Sequence, residues 1–260
     1  MPAEFSELVP AFCACLARVS GVVAMTPIPG WKASPREVRA FLALALTILL
    51  FPVWPVQVVR QAPSGFQWMG LLLAEVMIGL LLGCTASFLL ESFGLAAQLF
   101  GLQAGFSYAS TIDPNSEADS GVLQVALQLL GGMAFLSLGL DRTVLRSLAL
   151  SFEAIPPGTA IPDQFQIQRL MVLGTEMWRA AFRLALPIAV LLLLLDLMLA
   201  LLNRLQGHLQ LLSLAFPVKL LATLVILATL LAYVPDLTRQ QAAILFQETL
   251  PLVEQRGGSR

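Results

Sequence analysis

Histidine is almost missing from this 260-residue chain: His208 stands alone. One imidazole cannot hold a metal ion by itself. No Ser-His pair, Gly-x-Ser-x-Gly, phosphate-binding loop or His-Glu-x-x-His spacing occurs, which leaves serine hydrolase and zinc-peptidase chemistry without residues. Only an aspartyl type of intramembrane chemistry stays open. Cysteine is scarce and odd in number, and Cys13-x-Cys15 and Cys84 lie in apolar surroundings without further ligands, so they read as buried thiols. Charge is scarce too, at 12% of residues with a net charge of -1. No basic stripe exists to meet a phosphate backbone, which excludes nucleic acid as a partner. The opening Met1-Pro-Ala-Glu-Phe-Ser-Glu7 has two acids and no base, unlike the positive start of a cleaved signal peptide.

What fills the chain is hydrocarbon: 58% of residues are hydrophobic and mean hydropathy is +0.82. At ~20 residues per crossing this suits about five to seven membrane-length helices, so the expected fold is all-α and of integral-membrane type. Six apolar helices are expected. They cover 8–28, 36–52 (after Ser34-Pro35), 66–93 with a continuation beyond Gly94, 121–153 with weak points at Gly131-Gly132 and Gly139, 164–206 kinked by Pro187, and 209–234, stopped by Pro235-Asp236. A loop at 107–120 and a polar, partly helical tail at 236–260 complete a single domain over 1–260.

One stretch breaks the apolar pattern. Gln98 to Pro114 is built from Gly, Gln, Ser and Thr, and it leads into a loop holding Asp113, Glu117 and Asp119. On a helix Gly94, Gln98, Gly101 and Gly105 fall at i, i+4, i+7 and i+11, a narrow face with almost no side chain. Such a face lets another backbone approach closely, and the Gln98 amide is expected to add a hydrogen bond across the contact. Glu75 with Gly79 and Gly83 forms a second face of this kind.

Counting Lys and Arg in loops fails to orient the helices. The loop with Lys32, Arg36 and Arg39 votes for the cytoplasm, yet 107–120, two crossings on, is purely acidic, and Arg142 and Arg146 fall opposite. Re-entrant hairpins or shelter by other proteins would explain this. Charges inside apolar runs favour shelter: Glu75, Asp196, Lys219, and the cluster Glu176, Arg179 and Arg183. An unpaired charge at mid-bilayer costs at least ~2.5 kcal/mol, so each needs a partner or water. If the last two helices turn near Gln206-Gly207-His208, Asp196 and Lys219 are equidistant from the turn and should pair.

Several motifs together resemble the FliR family of flagellar export-gate proteins. Arg18-Val-Ser-Gly21, Pro27-Ile-Pro-Gly30, Pro35-Arg-Glu-Val-Arg39 and Leu42-Ala-Leu44 look like that family's start. Gln98-x-x-Gly-x-Gln-x-Gly105 with Asp113-Pro114-x-Ser116 is similar to its most distinctive stretch, and Asp196 with Phe216-Pro-Val-Lys219 to its C-terminal pattern. The resemblance spans about 10–235. It departs at Leu140-Asp141-Arg142, where the family often has Gly-His, and at Gln206-Gly207-His208, where a proline is usual.

The resemblance implies a non-enzymatic, cofactor-free subunit of the bacterial inner membrane and flagellar basal body. It would consist of kinked helical hairpins packed in a hetero-oligomeric spiral with FliP-like, FliQ-like and FlhB-like subunits, covered partly by lipid and partly by protein, and passing unfolded polypeptides. It also implies that the loop after the Gln/Gly stretch plugs the channel, with Phe106, Ser107, Tyr108, Ser110, Asp113, Pro114 and Glu117 as plug residues and Phe106 and Tyr108 the bulky blockers. An injectisome gate subunit of the same superfamily is the near alternative. A solute or ion transporter using Glu75, Asp196 and Lys219 as midplane ligands is the alternative of another class.

Overall fold

A computed structural model describes residues 2–26, 35–51, 65–105, 121–158, 164–205 and 211–249. The described residues are helical throughout and contain no strand. The helices are α1 (Pro2–Met25), α2 (Arg36–Leu49), α3 (Gly65–Ala104), α4 (Val122–Ser137), α5 (Leu140–Ala154), α6 (Gln164–Leu205) and α7 (Leu211–Thr249). Three of them, over Gln67–Ala104, Gln168–Leu205 and Pro217–Phe246, are long and apolar enough to cross a membrane, and α4 with α5 forms a fourth, broken candidate.

Two expectations about helix ends need correction. The run 121–153 is two helices, because the chain breaks at Leu138-Gly139 and Gly139 sits at φ +67, a left-handed conformation that other residues adopt at a cost. The last helix does not stop at Pro235 but continues to Thr249. Proline forgoes one hydrogen bond, to the Leu231 carbonyl, yet Pro235 and Leu231 both lie on the exposed side. Meanwhile Val234, Thr238, Gln241, Ala242, Leu245 and Phe246 make a buried stripe at helical spacing, and its burial outweighs the missing bond. Exposure of Pro187 and Arg183 likewise lets α6 run unbroken through that proline.

The chain divides into two compact units. The first comprises 1–88, 139–175 and 242–260, and the second 89–138 and 176–241. In the first, α1 packs on α2 and crosses α3. One face of α1 (Ala11, Ala14, Cys15, Arg18, Val19, Val22) is buried at i, i+3, i+4, i+7, i+8, i+11 spacing. The α1–α3 crossing is very close: a Cβ at Gly79 would lie 2.0 Å from the Arg18 carbonyl oxygen, one at Gly21 2.6 Å from that of Val76, and one at Gly83 2.8 Å from that of Val22. Only glycine permits backbones to meet there.

In the second unit, α3 from Phe93 to Ala104 packs with α4, α6 and α7 around Phe93, Phe100, Leu127, Ile188 and Leu192. Gly131 makes room for the Phe93 ring, and Gly94 for the Gln128 side chain. Cys15 and Cys84 are buried free thiols, whereas Cys13 is exposed.

Candidate functional site

Two polar nodes interrupt the hydrocarbon, one in each unit. In the first unit Arg18, entirely buried, projects from α1 towards α3 and α5. Its Nε donates to Glu75 Oε2 at 2.7 Å, Nη1 to the Ser151 carbonyl at 2.8 Å and hydroxyl at 3.2 Å, and Nη2 to the Ile155 carbonyl at 2.9 Å. The guanidinium carbon lies 4.8 Å from the Phe152 ring centre. Glu75, also fully buried, accepts a second bond on Oε1 from the Gly158 backbone N–H at 2.9 Å. The guanidinium therefore satisfies carbonyls at the end of α5, and the carboxylate fixes the turn that follows.

Such a closed node can hold three helices together, but it offers no open face to a solute. Glu75 sat in plain view in the sequence as a charge within Leu71–Leu82. Arg18 was overlooked as its partner, although a lone arginine within the apolar run 8–28 carries the same signal. The glycine spacing of Gly79 and Gly83 marked the contact that brings the two together.

In the second unit Lys219 of α7 meets Asp196 of α6, with Nζ 2.5 Å from Oδ1, so the contact required by the hairpin register is formed. The other carboxylate oxygen accepts from Gln103 Nε2, on the last turn of α3, at 3.3 Å. Asp196 and Lys219 remain partly open, with 36% and 20% of their side chains exposed. Arg179 pairs with Glu176 on its own helix and is largely exposed. Arg183 is exposed as well, so these two arginines are not buried charges. A further polar contact that the sequence did not suggest joins Gln128 Nε2 to Glu91 Oε2 at 3.2 Å.

The glycine face of α3 divides. Gly94, Gly101 and Gly105 are buried, whereas Gln98 is exposed and its amide makes no hydrogen bond within the chain among the described residues. At 3.6 residues per turn it lies about 40° further round than Gly94, past the edge of the arc centred on Phe93, Ala97, Phe100 and Ala104. The amide that does bridge is Gln103. Gly105 has a role apart from packing: its φ of +86 ends α3 in a left-handed cap. Phe106, Ser107, Tyr108, Ser110, Asp113, Pro114 and Glu117 lie outside the described residues.

The family described as bacterial export proteins, family 1, matches residues 9–244. The chain is 29% identical over 216 residues to the flagellar biosynthetic protein FliR of Escherichia coli (strain K12), covering 83% of this chain and 82% of that protein. It is 25% identical to FliR of Bacillus subtilis (strain 168) over 85% and 86% of the two chains. It is also 28% identical to the secretion system apparatus protein SsaT of Salmonella typhimurium, over 73% and 74%.

Proposed function

This chain belongs to the bacterial export proteins, family 1, and on that footing we propose that it is a non-enzymatic core subunit of the flagellar type III export gate. In this reading it helps form and close the channel that passes unfolded flagellar proteins across the inner membrane. The observation that carries the reading is the joint one of family membership and unfinished packing. In the most apolar windows of α6 and α7 only 22% and 11% of residues are buried within the chain, against 56% in α3. An isolated solute carrier encloses its site with its own helices, whereas a subunit of a larger spiral leaves faces for its neighbours.

FliP-like, FliQ-like and FlhB-like subunits are the neighbours proposed. The flagellar reading is preferred to the injectisome one because the flagellar relatives match over more of the chain. Within this reading the plug runs from Phe106 to Gly121, with Phe106 and Tyr108 as the bulky blockers. A loop rich in Ser and Thr, with three acids and little apolar area to pin it, can swing aside when substrate arrives.

The test has two arms. Coexpressed with the FliP-like and FliQ-like proteins of its own organism, the chain should copurify with both, and recovery of the chain alone would argue for a self-sufficient carrier. Deleting 110–119 should leave that assembly intact but make the membrane permeable to ions, and normal tightness would remove the plug from the proposal.

A further inference from the structure

We infer that the Asp196–Lys219 pair is a docking contact: it receives a hydrogen-bonding side chain from a helix of a neighbouring subunit on the open side of the α6–α7 hairpin. The inference rests on the gate reading only for the names of the neighbours. Asp196 lies nine residues before the end of α6 and Lys219 eight residues after the start of α7. At 1.5 Å per residue both sit ~12–14 Å along the hairpin, deep within its apolar length.

Both residues sit at the border between the buried and open sides of their helices. Leu192 and Thr223 are buried beside them, whereas Leu193, Leu197 and Leu221 are 58%, 56% and 61% exposed. A pair made only to satisfy itself would be enclosed, as Arg18–Glu75 is. Here hydrogen-bonding capacity is left over. The carboxylate has about four acceptor sites and uses one on Lys219 and one, at a long 3.3 Å, on Gln103; the ammonium has three donors and uses one.

The surroundings decide what fills that capacity. Lipid tails neither donate nor accept, and charged groups within apolar spans face protein or enclosed water. Lipid over the exposed leucines would leave both charges to whatever water it traps. A neighbouring apolar helix that carries one side chain able to donate and accept, such as an amide or hydroxyl, covers the leucines and completes both charges.

Exchanging both charges for apolar groups separates this role from an internal one. Asp196→Leu with Lys219→Met leaves neither helix with an unpaired charge but removes every group that a partner's amide or hydroxyl could meet, whichever way it turns. The exchanged chain should reach the membrane at the native level and recover about tenfold less FliP-like and FliQ-like subunit, the size expected for losing one interhelical contact. Recovery equal to the native chain would show that the pair serves only itself and overturn the inference.

A second measurement needs neither a stable exchange variant nor the partners' identity. A bimane on Leu197→Cys, in a Cys13→Ser background of the otherwise native chain, is read in native membranes containing nitroxide-labelled lipid. Protection from quenching supports a protein cover; quenching by the lipid overturns it. Protection in a chain that recovers no FliP-like or FliQ-like subunit would sink the gate reading while the docking contact stands.

Discussion

Removing Arg18 should be among the most damaging single changes in the chain, and the reason can be worked out from its contacts. Arg18→Met fills much of the same volume but deletes every donor facing Glu75 Oε2, the Ser151 hydroxyl and the Ile155 carbonyl. The Ser151 carbonyl keeps its bond from the Ile155 N–H at 3.0 Å and is not orphaned. Glu75 is: its side chain is 0% exposed, so a buried carboxylate would be left with only the Gly158 N–H. Breaking a buried pair in this way costs ~3–5 kcal/mol, or about two to three and a half decades in the folded-to-unfolded ratio.

Glu75→Gln should cost about as much, ~3–5 kcal/mol, because the fully buried Arg18 cannot shed its proton and loses its counter-ion. A glutamine has one oxygen for two donors, the Arg18 Nε and the Gly158 N–H, so one contact becomes donor against donor. The double variant Arg18→Met with Glu75→Met buries no charge and should be more stable than the sum of the two Met replacements implies, by at least ~2 kcal/mol. SDS-induced unfolding of the detergent-solubilised chain, followed by circular dichroism, measures these variants and the single Glu75→Met that closes the cycle. Additivity in that cycle, or an Arg18→Met chain within ~1 kcal/mol of native, would refute the claim that this node holds α1, α3 and α5 together.

Glycines give contrasting outcomes in the same assay. Gly79→Ala places a methyl 2.0 Å from the Arg18 carbonyl oxygen, against backbone that cannot yield, and should destabilise by more than the usual 1–3 kcal/mol of overpacking. Gly174→Ala meets nothing within 4 Å in the interior of α6 and should stabilise by up to ~1 kcal/mol, since alanine holds a helix better than glycine. Gly139→Ala, at φ +67, should cost about 1–2 kcal/mol although its space is open. Gly94→Ala should cost about 1 kcal/mol, because the 2.6 Å obstacle is the Gln128 side chain, which can turn away only by giving up its bond to Glu91.

Much of the helical frame was legible because hydropathy marks membrane-length helices directly. The internal contacts were legible only where spacing has a single geometric meaning. Gly79-x-x-x-Gly83 specified a close crossing, and equal distances from a turn paired Asp196 with Lys219. Pro235 is judged by residue type, proline as a terminator, when the decisive quantity is which side of the helix it faces, and the glutamine that bridges within the chain is one the stripe at 94, 98, 101 and 105 does not include. Pro235 faces outward, so the helix tolerates it; Gln98 falls just past the buried arc, so Gln103, five residues on, does the bridging. Arg18 went unpaired because no local pattern links residues 57 positions apart.

One half of the failed charge count, the placement of Arg142 and Arg146, has a structural explanation. Counting crossings presumes that each apolar run crosses once, yet the run at 121–153 breaks at Gly139, so parity is lost from there on. Arg142 and Arg146, whose placement made the count contradictory, belong to no loop. They lie on α5, exposed beside Asp141, while Val144, Ser147, Leu148, Ser151 and Phe152 form its buried stripe. Fifteen residues with four exposed charges, Glu153 included, make α5 an amphipathic helix that packs by one face rather than half of a lipid-facing span. Its end is held from within by Arg18, a cation that a loop-based count ignores because it lies inside an apolar run. In this chain the one positive charge within the apolar run 8–28, Arg18, therefore reports a protein contact and not a membrane side.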